Sequence, residues 1–208
     1  MLTLNHLVTS GTFSLDGGTW DVDNNVWVLG DDTECVVFDA PHSVDAILAL
    51  VGGRRVAAIL ATHAHDDHIR FAPALADATN APVLLHPDDL PLWRQTHPDR
   101  DPDDVLRDGE VIEVAGCAVT VLHTPGHAPG ACCFHAPSLG VLFSGDTLFH
   151  GGPGATGRSF SDFGTIVSSI RDRLLTLDPA TVVHTGHGAD TTIGAELPDV
   201  EEWIRRGH

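Results

Sequence analysis

The stretch Thr62-His63-Ala64-His65-Asp66-Asp67-His68 decides the fold of this 208-residue chain. It follows an apolar run, Val56–Ala61, and a helical pattern begins at its last residue. We therefore predict a loop at the carboxyl end of a buried strand, where a rigid scaffold aims several side chains at one point. In the competing interpretation, the loop is merely polar and Asp66 or Asp67 caps the next helix.

Three residues further along the chain have the same local setting, because each follows a predicted strand and has glycine beside it. They are His127 after Gly126, Asp146 after Gly145, and His187 between Gly186 and Gly188. Glycine lets the backbone turn sharply and present the neighbouring side chain. Each residue alone would be typical of an ordinary turn, so the joint pattern carries the prediction of a metal site.

The hydrophobic pattern predicts a chain of strands and helices that forms a single α/β domain over residues 1–208, with helices packed outside sheets. Predicted strands are Val26–Leu29, Cys35–Phe38, Val56–Ala61, Pro82–Leu85, Val111–Val114, Ala118–Leu122, Ala131–His135, Val141–Ser144 and Thr181–His184. Predicted helices are Ser43–Val51, His68–Thr79, Asp162–Leu177 and Leu197–Arg206. Hairpin turns at Gly17–Trp20 and Gly30–Asp32 predict an N-terminal β-meander, and Asp88–Glu110 is predicted to be a loop around a short helix near Leu92.

Composition narrows the range of partners. The chain has 29 acidic and 11 basic residues and a formal net charge of −18, which disfavours binding to nucleic acid or to an anionic membrane. The N-terminus MLTLNHLVTSG has no basic region and no apolar run approaches the ~18 residues of a membrane span, so we predict a cytoplasmic, unanchored protein. Lysine and tyrosine are both absent, which excludes a lysine Schiff base and a tyrosine acid.

The four cysteines show no metal-binding spacing. They are Cys35, Cys117 and the adjacent pair Cys132 and Cys133. We predict reduced, buried thiols, with a redox-active Cys132–Cys133 pair as the alternative.

Taken together and in this order, the motifs resemble those of the metallo-β-lactamase superfamily, and within it the glyoxalase II branch. The resemblance runs from about Asp23 to Glu196. It implies a four-layer αββα sandwich with a binuclear metal site at one edge of the two sheets. By the resemblance, His63, His65 and His127 would bind the first metal, Asp67, His68 and His187 the second, and Asp146 would bridge both.

The resemblance also implies a chemistry. Two divalent ions, zinc foremost with iron or manganese as alternatives, would generate a hydroxide that attacks a carbonyl group. Asp67 would accept or orient a proton, and Asp39 would orient a ligand histidine unless it is a simple turn residue at a strand end. Asp146 stands where zinc β-lactamases with a thiolate ligand have cysteine, which argues against antibiotic hydrolysis.

The function that the resemblance favours is hydrolysis of a thioester of a small thiol. The stretch 184–194 is similar to compact bacterial members of the branch, but larger members hold glutathione with lysine, arginine and tyrosine, and two of these residue types are missing here. Residues 19–25 and 154–163 resemble an actinobacterial subgroup, which suggests S-acyl or S-formyl mycothiol as the small-molecule substrate. Arg158, after a glycine-rich loop, is a candidate contact for an anionic part of that substrate.

Three alternatives stay open at this point: a persulfide dioxygenase with one iron, a lactone hydrolase, and a metal-binding module without catalysis. Trp93 and Trp203 are candidates for exposed contacts in a homodimer. Seven other histidines are not counted as ligands. His123 and His184 would lie behind the site or be buried, and His42, His86, His97, His135 and His208 would belong to the surface or core.

Overall fold

A computed structural model describes residues 1–207 as two six-stranded sheets with helices on their outer faces. The first sheet contains, in spatial and chain order, β1 Thr3–Leu15, β2 Gly18–Gly30, β3 Glu34–Phe38, β4 Arg55–Leu60, β5 Val83–Leu85 and β6 Asp104–Val105. Its first three strands are antiparallel, and β3 to β6 run parallel. The carboxyl ends of β3, β4 and β5 therefore meet at one edge of the sheet.

The second sheet is built from the C-terminal half of the described chain. Its strands are β7 Val111–Val114, β8 Cys117–His123, β9 Cys132–Ala136, β10 Val141–Gly145, β13 Val182–Thr185 and β14 Thr191–Thr192; the short strands β11 Leu148–Phe149 and β12 Gly152–Pro153 pair separately. Strands β10 and β13 are parallel neighbours, so the loops that follow them leave the sheet side by side.

Seven α-helices flank the sheets. They are α1 Val44–Val51, α2 Asp66–Ile69, α3 Ala72–Thr79, α4 Leu90–Thr96, α5 Phe163–Ser169, α6 Ile193–Glu196 and α7 Val200–Arg206 within residues 1–207. Ser43 begins α1 by accepting a hydrogen bond from the Ala46 amide, and Gly52 ends it in the left-handed conformation. Among these residues, no helix is both long and apolar enough to cross a membrane.

Three stacked apolar cores identify the layers. One core packs α1 and α3 against the outer face of the first sheet, for example Ile47 and Leu75 against Ile59. A second lies between the sheets and includes Phe38, stacked on Phe143 at 3.9 Å. The third packs α5 and α7 on the second sheet. The predicted four-layer αββα sandwich is confirmed.

The cysteine pair illustrates how the strand period separates neighbours. Cys132 points into the core between the sheets, whereas Cys133 points into the core under α5. All four cysteines are free and buried, as predicted, and burial raises the pKa of both Cys132 and Cys133. Side chains on opposite faces of a strand are poorly placed to form a redox pair.

Several predicted details are corrected by the fold. The predicted helix His68–Thr79 is two helices, because Pro73 lacks an amide hydrogen and its ring excludes the carbonyl of Ile69, where α2 ends. The predicted helix Asp162–Leu177 becomes a π-helical turn after Ser169. Trp93 and Trp203 are 0% and 1% exposed, so the prediction that they offer surface for a dimer is wrong.

Candidate metal centre

The seven predicted site residues meet at one edge of the sandwich. His63 and His65 lie in the loop after β4, and α2 carries Asp67 and His68 immediately behind them. From the second sheet come His127 between β8 and β9, Asp146 after β10, and His187 after β13. The parallel order of β10 and β13 explains why the last two are neighbours. The side chains form two groups of three donor atoms with Asp146 between them.

The first group, which we call the imidazole triad, consists of His63, His65 and His127. Nδ1 of His65 lies 3.0 Å from Nε2 of His63 and 3.0 Å from Nε2 of His127. The three rings are nearly perpendicular to one another, at 82° to 84°. Burial lowers the pKa of all three, that of His65 to about 3, so the rings are neutral at pH 7. Their nitrogen atoms converge on one point.

Outer partners determine which nitrogen of His63 and of His127 faces inward. Nδ1 of His127 donates to the Ala155 carbonyl at 2.8 Å, which leaves the lone pair on Nε2. Thr62 Oγ1 donates to Asp39 at 2.8 Å and lies 3.1 Å from His63 Nδ1, so this hydroxyl accepts from that ring nitrogen. These contacts are the usual support of a metal-binding histidine.

The second group, the mixed triad, consists of Asp67, His68 and His187. Nε2 of His187 is 3.2 Å from Nε2 of His68 and 3.3 Å from Oδ2 of Asp67. The outward nitrogens are again engaged, since Nδ1 of His68 contacts Asp39 Oδ2 at 2.8 Å and Nδ1 of His187 donates to the Asp23 carbonyl at 2.7 Å. Asp39 therefore contacts a predicted ligand histidine, which agrees with the interpretation that it orients such a histidine rather than serving as a simple turn residue.

The electrostatics of the mixed triad differ from those of the imidazole triad. Burial lowers the pKa of His187, but Asp146 and Asp67 outweigh it and raise that pKa to about 10. The pKa of His68 is likewise lowered by burial and raised by Asp146, Asp67 and Asp39, ending well above its ordinary value. Burial raises the pKa of Asp67, yet the neighbouring histidines hold it at about 2. The carboxylates of the mixed triad and Asp146 therefore favour positive charge on the neighbouring histidines.

Asp146 lies between the two groups. Its Oδ2 is 3.6 Å from His127 Nε2 and 3.3 Å from His187 Nε2, and its Oδ1 is 3.4 Å from His68 Nε2. A Cβ atom on Gly186 would collide with the Asp146 carboxylate, so glycine is required there. Asp146 Oδ1 is buried without a hydrogen-bond partner in the described part of the chain. A buried carboxylate is normally paired with a positive charge or coordinates a metal.

The residues fit two divalent cations. Zinc holds nitrogen and oxygen ligands at about 2.0–2.2 Å, which places the ligand atoms of a tetrahedral site about 3.4 Å apart. The contacts between donor atoms here run from 3.0 to 3.7 Å. Neutral imidazoles and carboxylates also suit iron and manganese. All seven predicted residues are brought together, and their role as ligands remains a prediction.

Two supporting residues were not found from the sequence. Asp89 is fully buried after β5, where Oδ2 accepts from the Ala64 amide at 2.8 Å and Oδ1 accepts from the Gly130 amide at 2.5 Å. It thereby ties the His63–His65 loop to the loop of His127, and burial raises its pKa to about 6. Asn25 in β2 donates to the carbonyls of Thr185 and Gly188 and fixes the loop of His187. The available signal was a polar residue inside a buried strand for Asn25, and in the turn that follows a buried strand for Asp89.

A cavity of about 280 Å³ opens onto the centre. Its floor contains His65, Asp67, His127, Asp146 and His187, and its walls are Phe13, Trp20 and Val22 from the β1–β2 hairpin together with Ala155, Arg158 and Ser159. The guanidinium of Arg158 stacks on Trp20 at 3.8 Å from the ring centroid. The structure thus brings Arg158 to the rim, as its predicted contact with substrate requires.

Several other histidines have partners outside the seven predicted ligands. His123 stacks on His86 at 3.9 Å, and His184 contacts Asp190 at 2.8 Å. His42, predicted to belong to the surface or core, instead lies behind the mixed triad, where Nε2 contacts Asn24 at 2.8 Å. His208 lies outside the described residues.

Comparison with known proteins gives consistent matches. Residues 19–187 match the family model described as metallo-beta-lactamase superfamily. Hydroxyacylglutathione hydrolase GloC of Haemophilus influenzae is 35% identical over 151 residues, which are 66% of this chain and 71% of that protein. The crystal structure of TTHA1623 in a di-iron-bound form has a TM-score of 0.76 and 33% identity, covering 91% of this chain and 97% of that one. The BLEG-1 B3 metallo-beta-lactamase has a TM-score of 0.78 and 30% identity, with the same coverage.

Proposed function

The chain belongs to the metallo-β-lactamase superfamily, and on that premise we propose that it is a binuclear metal-dependent hydrolase that cleaves a thioester of a small thiol. The observation that carries this proposal is the position of Asp146, whose carboxylate lies within 3.6 Å of donor nitrogens in both triads. A carboxylate shared in this way is suited to hold two cations close together. The di-iron form of TTHA1623 supports a centre of two metals.

Each cation would have its own protein ligands. His63, His65 and His127 would hold the first, Asp67, His68 and His187 the second, and Asp146 both. Bound there, zinc, iron or manganese would supply Lewis-acid chemistry, acidifying water and polarising the carbonyl group under attack. The donor types fit all three metals, and zinc is the one we expect first.

The chain's own residues would orient the reaction around that centre. Asp67 is ionised and faces the cavity floor, so its carboxylate can orient a water molecule or take up its proton. Phe13, Trp20 and Val22 form an apolar wall that keeps bulk water away from the acyl group. Arg158 lies at the rim, where its guanidinium can meet an anionic group of the substrate.

A thioester suits this set of residues. A thiol has a pKa of about 8.5, so a thiolate leaves without prior protonation by an acid. Lysine and tyrosine are absent from the chain and cannot serve as that acid. The relationship to GloC, a hydroxyacylglutathione hydrolase, supports the same reaction class. We propose acyl- or formyl-mycothiol ahead of glutathione, because the lysine and tyrosine contacts expected for glutathione cannot form.

Hydrolysis of a β-lactam is the second candidate. Its support is the likeness to BLEG-1, which is named a B3 metallo-beta-lactamase. The cavity would present the same polarised carbonyl chemistry to an amide ring. Against it stands the easier departure of a thiolate than of an amide nitrogen, so we expect thioesters to be the better substrates.

The test is a panel of substrates assayed with the metal-loaded protein. It compares kcat/KM for acyl-mycothiol, acyl-glutathione, acyl-coenzyme A, the matched oxygen ester and a β-lactam, with metal content measured on the same sample. We expect two metals per chain and the highest value for a thioester, with mycothiol leading. Asp99→Ala, at an exposed site outside the seven predicted ligands, serves as the matched control for Asp67→Ala. One iron per chain with oxygen consumed in the presence of a persulfide would instead establish a dioxygenase.

A further inference from the structure

A side chain outside the seven predicted ligands reaches the mixed triad. Asn24, in β2, is 1% exposed. Its Nδ2 atom lies 3.1 Å from Asp67 Oδ2, 3.3 Å from His68 Nε2 and 3.4 Å from His187 Nε2. One amide atom is therefore in contact with all three donor atoms at once.

The four atoms outline a nearly regular tetrahedron. The three edges within the mixed triad measure 3.2, 3.3 and 3.7 Å, close to the three distances from Asn24. The centre of such a figure is about 2.0 Å from every corner, which is the distance at which zinc holds nitrogen and oxygen ligands. Asn24 occupies the position of a fourth ligand.

The chemistry of the amide decides which of its atoms belongs at that corner when a cation is present. An amide nitrogen can donate to Asp67, but it has no lone pair available for a metal. The amide oxygen is a good ligand for divalent cations. Rotation of the amide by 180° exchanges the two atoms within nearly the same volume.

His42 can support either orientation of the amide. Its Nε2 atom is 2.8 Å from Asn24 Oδ1, on the side away from the triad. A neutral imidazole ring carries one N–H group and one lone pair. His42 donates to the amide oxygen in the present orientation and can accept from the amide nitrogen in the other.

We propose that Asn24 is a ligand of the second metal, binding through its amide oxygen while its amide nitrogen donates to His42. This inference rests on the binuclear centre proposed above. It gives the second cation five protein ligands, with Asn24 and Asp146 added to the mixed triad, against four for the first. A larger share of oxygen ligands favours manganese or iron at the second position relative to the first.

The experiment is a metal titration of the metal-free protein against a chromophoric chelator, with zinc and with manganese, read out as stoichiometry and affinity. We compare Asn24→Ala, Asn24→Asp and His42→Leu. Asn5→Ala is the matched control, because Asn5 accepts from Arg54 far from the centre. Thermal unfolding of each metal-free variant checks that the fold is kept.

Asn24→Ala is expected to weaken the second equivalent at least tenfold and to leave the first unchanged. Asn24→Asp is expected to bind the second equivalent as tightly as the parent or more so, since it supplies a carboxylate oxygen at the same corner. His42→Leu is expected to weaken the second equivalent by a smaller factor. Asn5→Ala should match the parent in both equivalents.

The aspartate variant separates a ligand from a hydrogen-bond donor. If Asn24 only donates to Asp67, Asn24→Asp places two carboxylates in contact and weakens the second equivalent as much as alanine does, which would overturn the proposal. Unchanged binding in all the Asn24 variants would overturn it as well. A parent protein that binds fewer than two metals would contradict the proposed function itself, so the two failures are distinct.

Discussion

The two triads of the centre are built from similar residues yet prepared differently for a cation. In the imidazole triad the outward nitrogen of His63 meets the Thr62 hydroxyl and that of His127 meets the Ala155 carbonyl. The mixed triad contains the carboxylate of Asp67. The carboxylate of Asp39, outside the triad, contacts the outward nitrogen of His68. Burial determines the histidine pKa values in the first group, whereas the combined charge of the carboxylates outweighs burial in the second.

The difference has a chemical consequence. In the imidazole triad burial lowers the pKa of each histidine, so three lone pairs are available at neutral pH. In the mixed triad carboxylates outweigh burial and raise the pKa of His68 and His187, so these rings hold protons that a cation must displace. A metal can bind the imidazole triad without displacing protons, whereas binding at the mixed triad must release protons from His68 and His187.

Removal of Asp146 tests what the two triads share. Asp146→Ala is expected to lower the metal content below one ion per chain, because both cations lose a ligand. It should also lower kcat/KM by more than about 100-fold, which is the loss typical when a residue behind a metal ligand is removed. Metal analysis after dialysis and thioester hydrolysis measure this. Asp99→Ala, at an exposed site, controls for loss of an acidic residue. Retention of two metals would show that the carboxylate does not bridge.

The pH dependence of metal binding should separate the triads. His187 has a pKa of about 10 in the metal-free protein, so it is protonated below that pH and releases its proton when a metal binds. Affinity at the mixed triad should therefore rise about tenfold per pH unit from pH 6 to 9 for each proton displaced. His65 has a pKa of about 3, so affinity at the imidazole triad should be nearly constant over this range.

Chelator competition at pH 6, 7, 8 and 9 measures both equivalents. The His187→Ala variant identifies which equivalent belongs to the mixed triad, because only that one should be lost. If the affinities of the two equivalents changed equally with pH, the proposed difference between the triads would be wrong, namely neutral histidines in one and protonated histidines in the other. The sign is specific, since a triad of deprotonated ligands cannot gain affinity from a rise in pH by this route.

The sequence predicted what depends on local pattern. The recurrence of strand, glycine and candidate ligand, as at Gly145-Asp146 and Gly186-His187, joined three residues to the cluster His63–His68, and the apolar runs predicted an α/β domain with helices outside sheets. The four layers came from the resemblance to the metallo-β-lactamase superfamily. The 13-residue strand β1 was not predicted in its own right, because polar and apolar side chains alternate only weakly over residues 3–15. Its pairing with β2 depends on tertiary structure and cannot be read from the local sequence. Local pattern identifies elements, and pairing defines their extent.

The residues that support the centre could not be assigned from local pattern. Asn24 and Asp89 act on loops more than twenty residues away, so their roles require the register of β2 and the position of the turn after β5. Trp93 and Trp203 were predicted to offer exposed contacts for a dimer, yet both are buried. Exposure of an aromatic residue depends on the whole fold.

The smallest expected effect concerns Asp89, which supports only one triad. Its two oxygens accept from Ala64, between two ligands of the imidazole triad, and from Gly130, in the loop of His127. Asp89→Asn leaves one acceptor for these two amides, so one buried N–H group loses its partner and the two loops lose their tie. We expect the first metal equivalent to weaken about 10- to 100-fold while the second keeps its affinity.

The same chelator titration at pH 8 measures the effect, with Asp190→Asn as the matched control, because Asp190 contacts His184 outside the donor set. Equal weakening of both equivalents by Asp89→Asn would mean that the loop tie supports the whole edge of the sandwich rather than the imidazole triad. Selective weakening of the first equivalent would establish that Asp89 supports the imidazole triad alone, whereas Asp39 contacts His68 directly and His63 through Thr62.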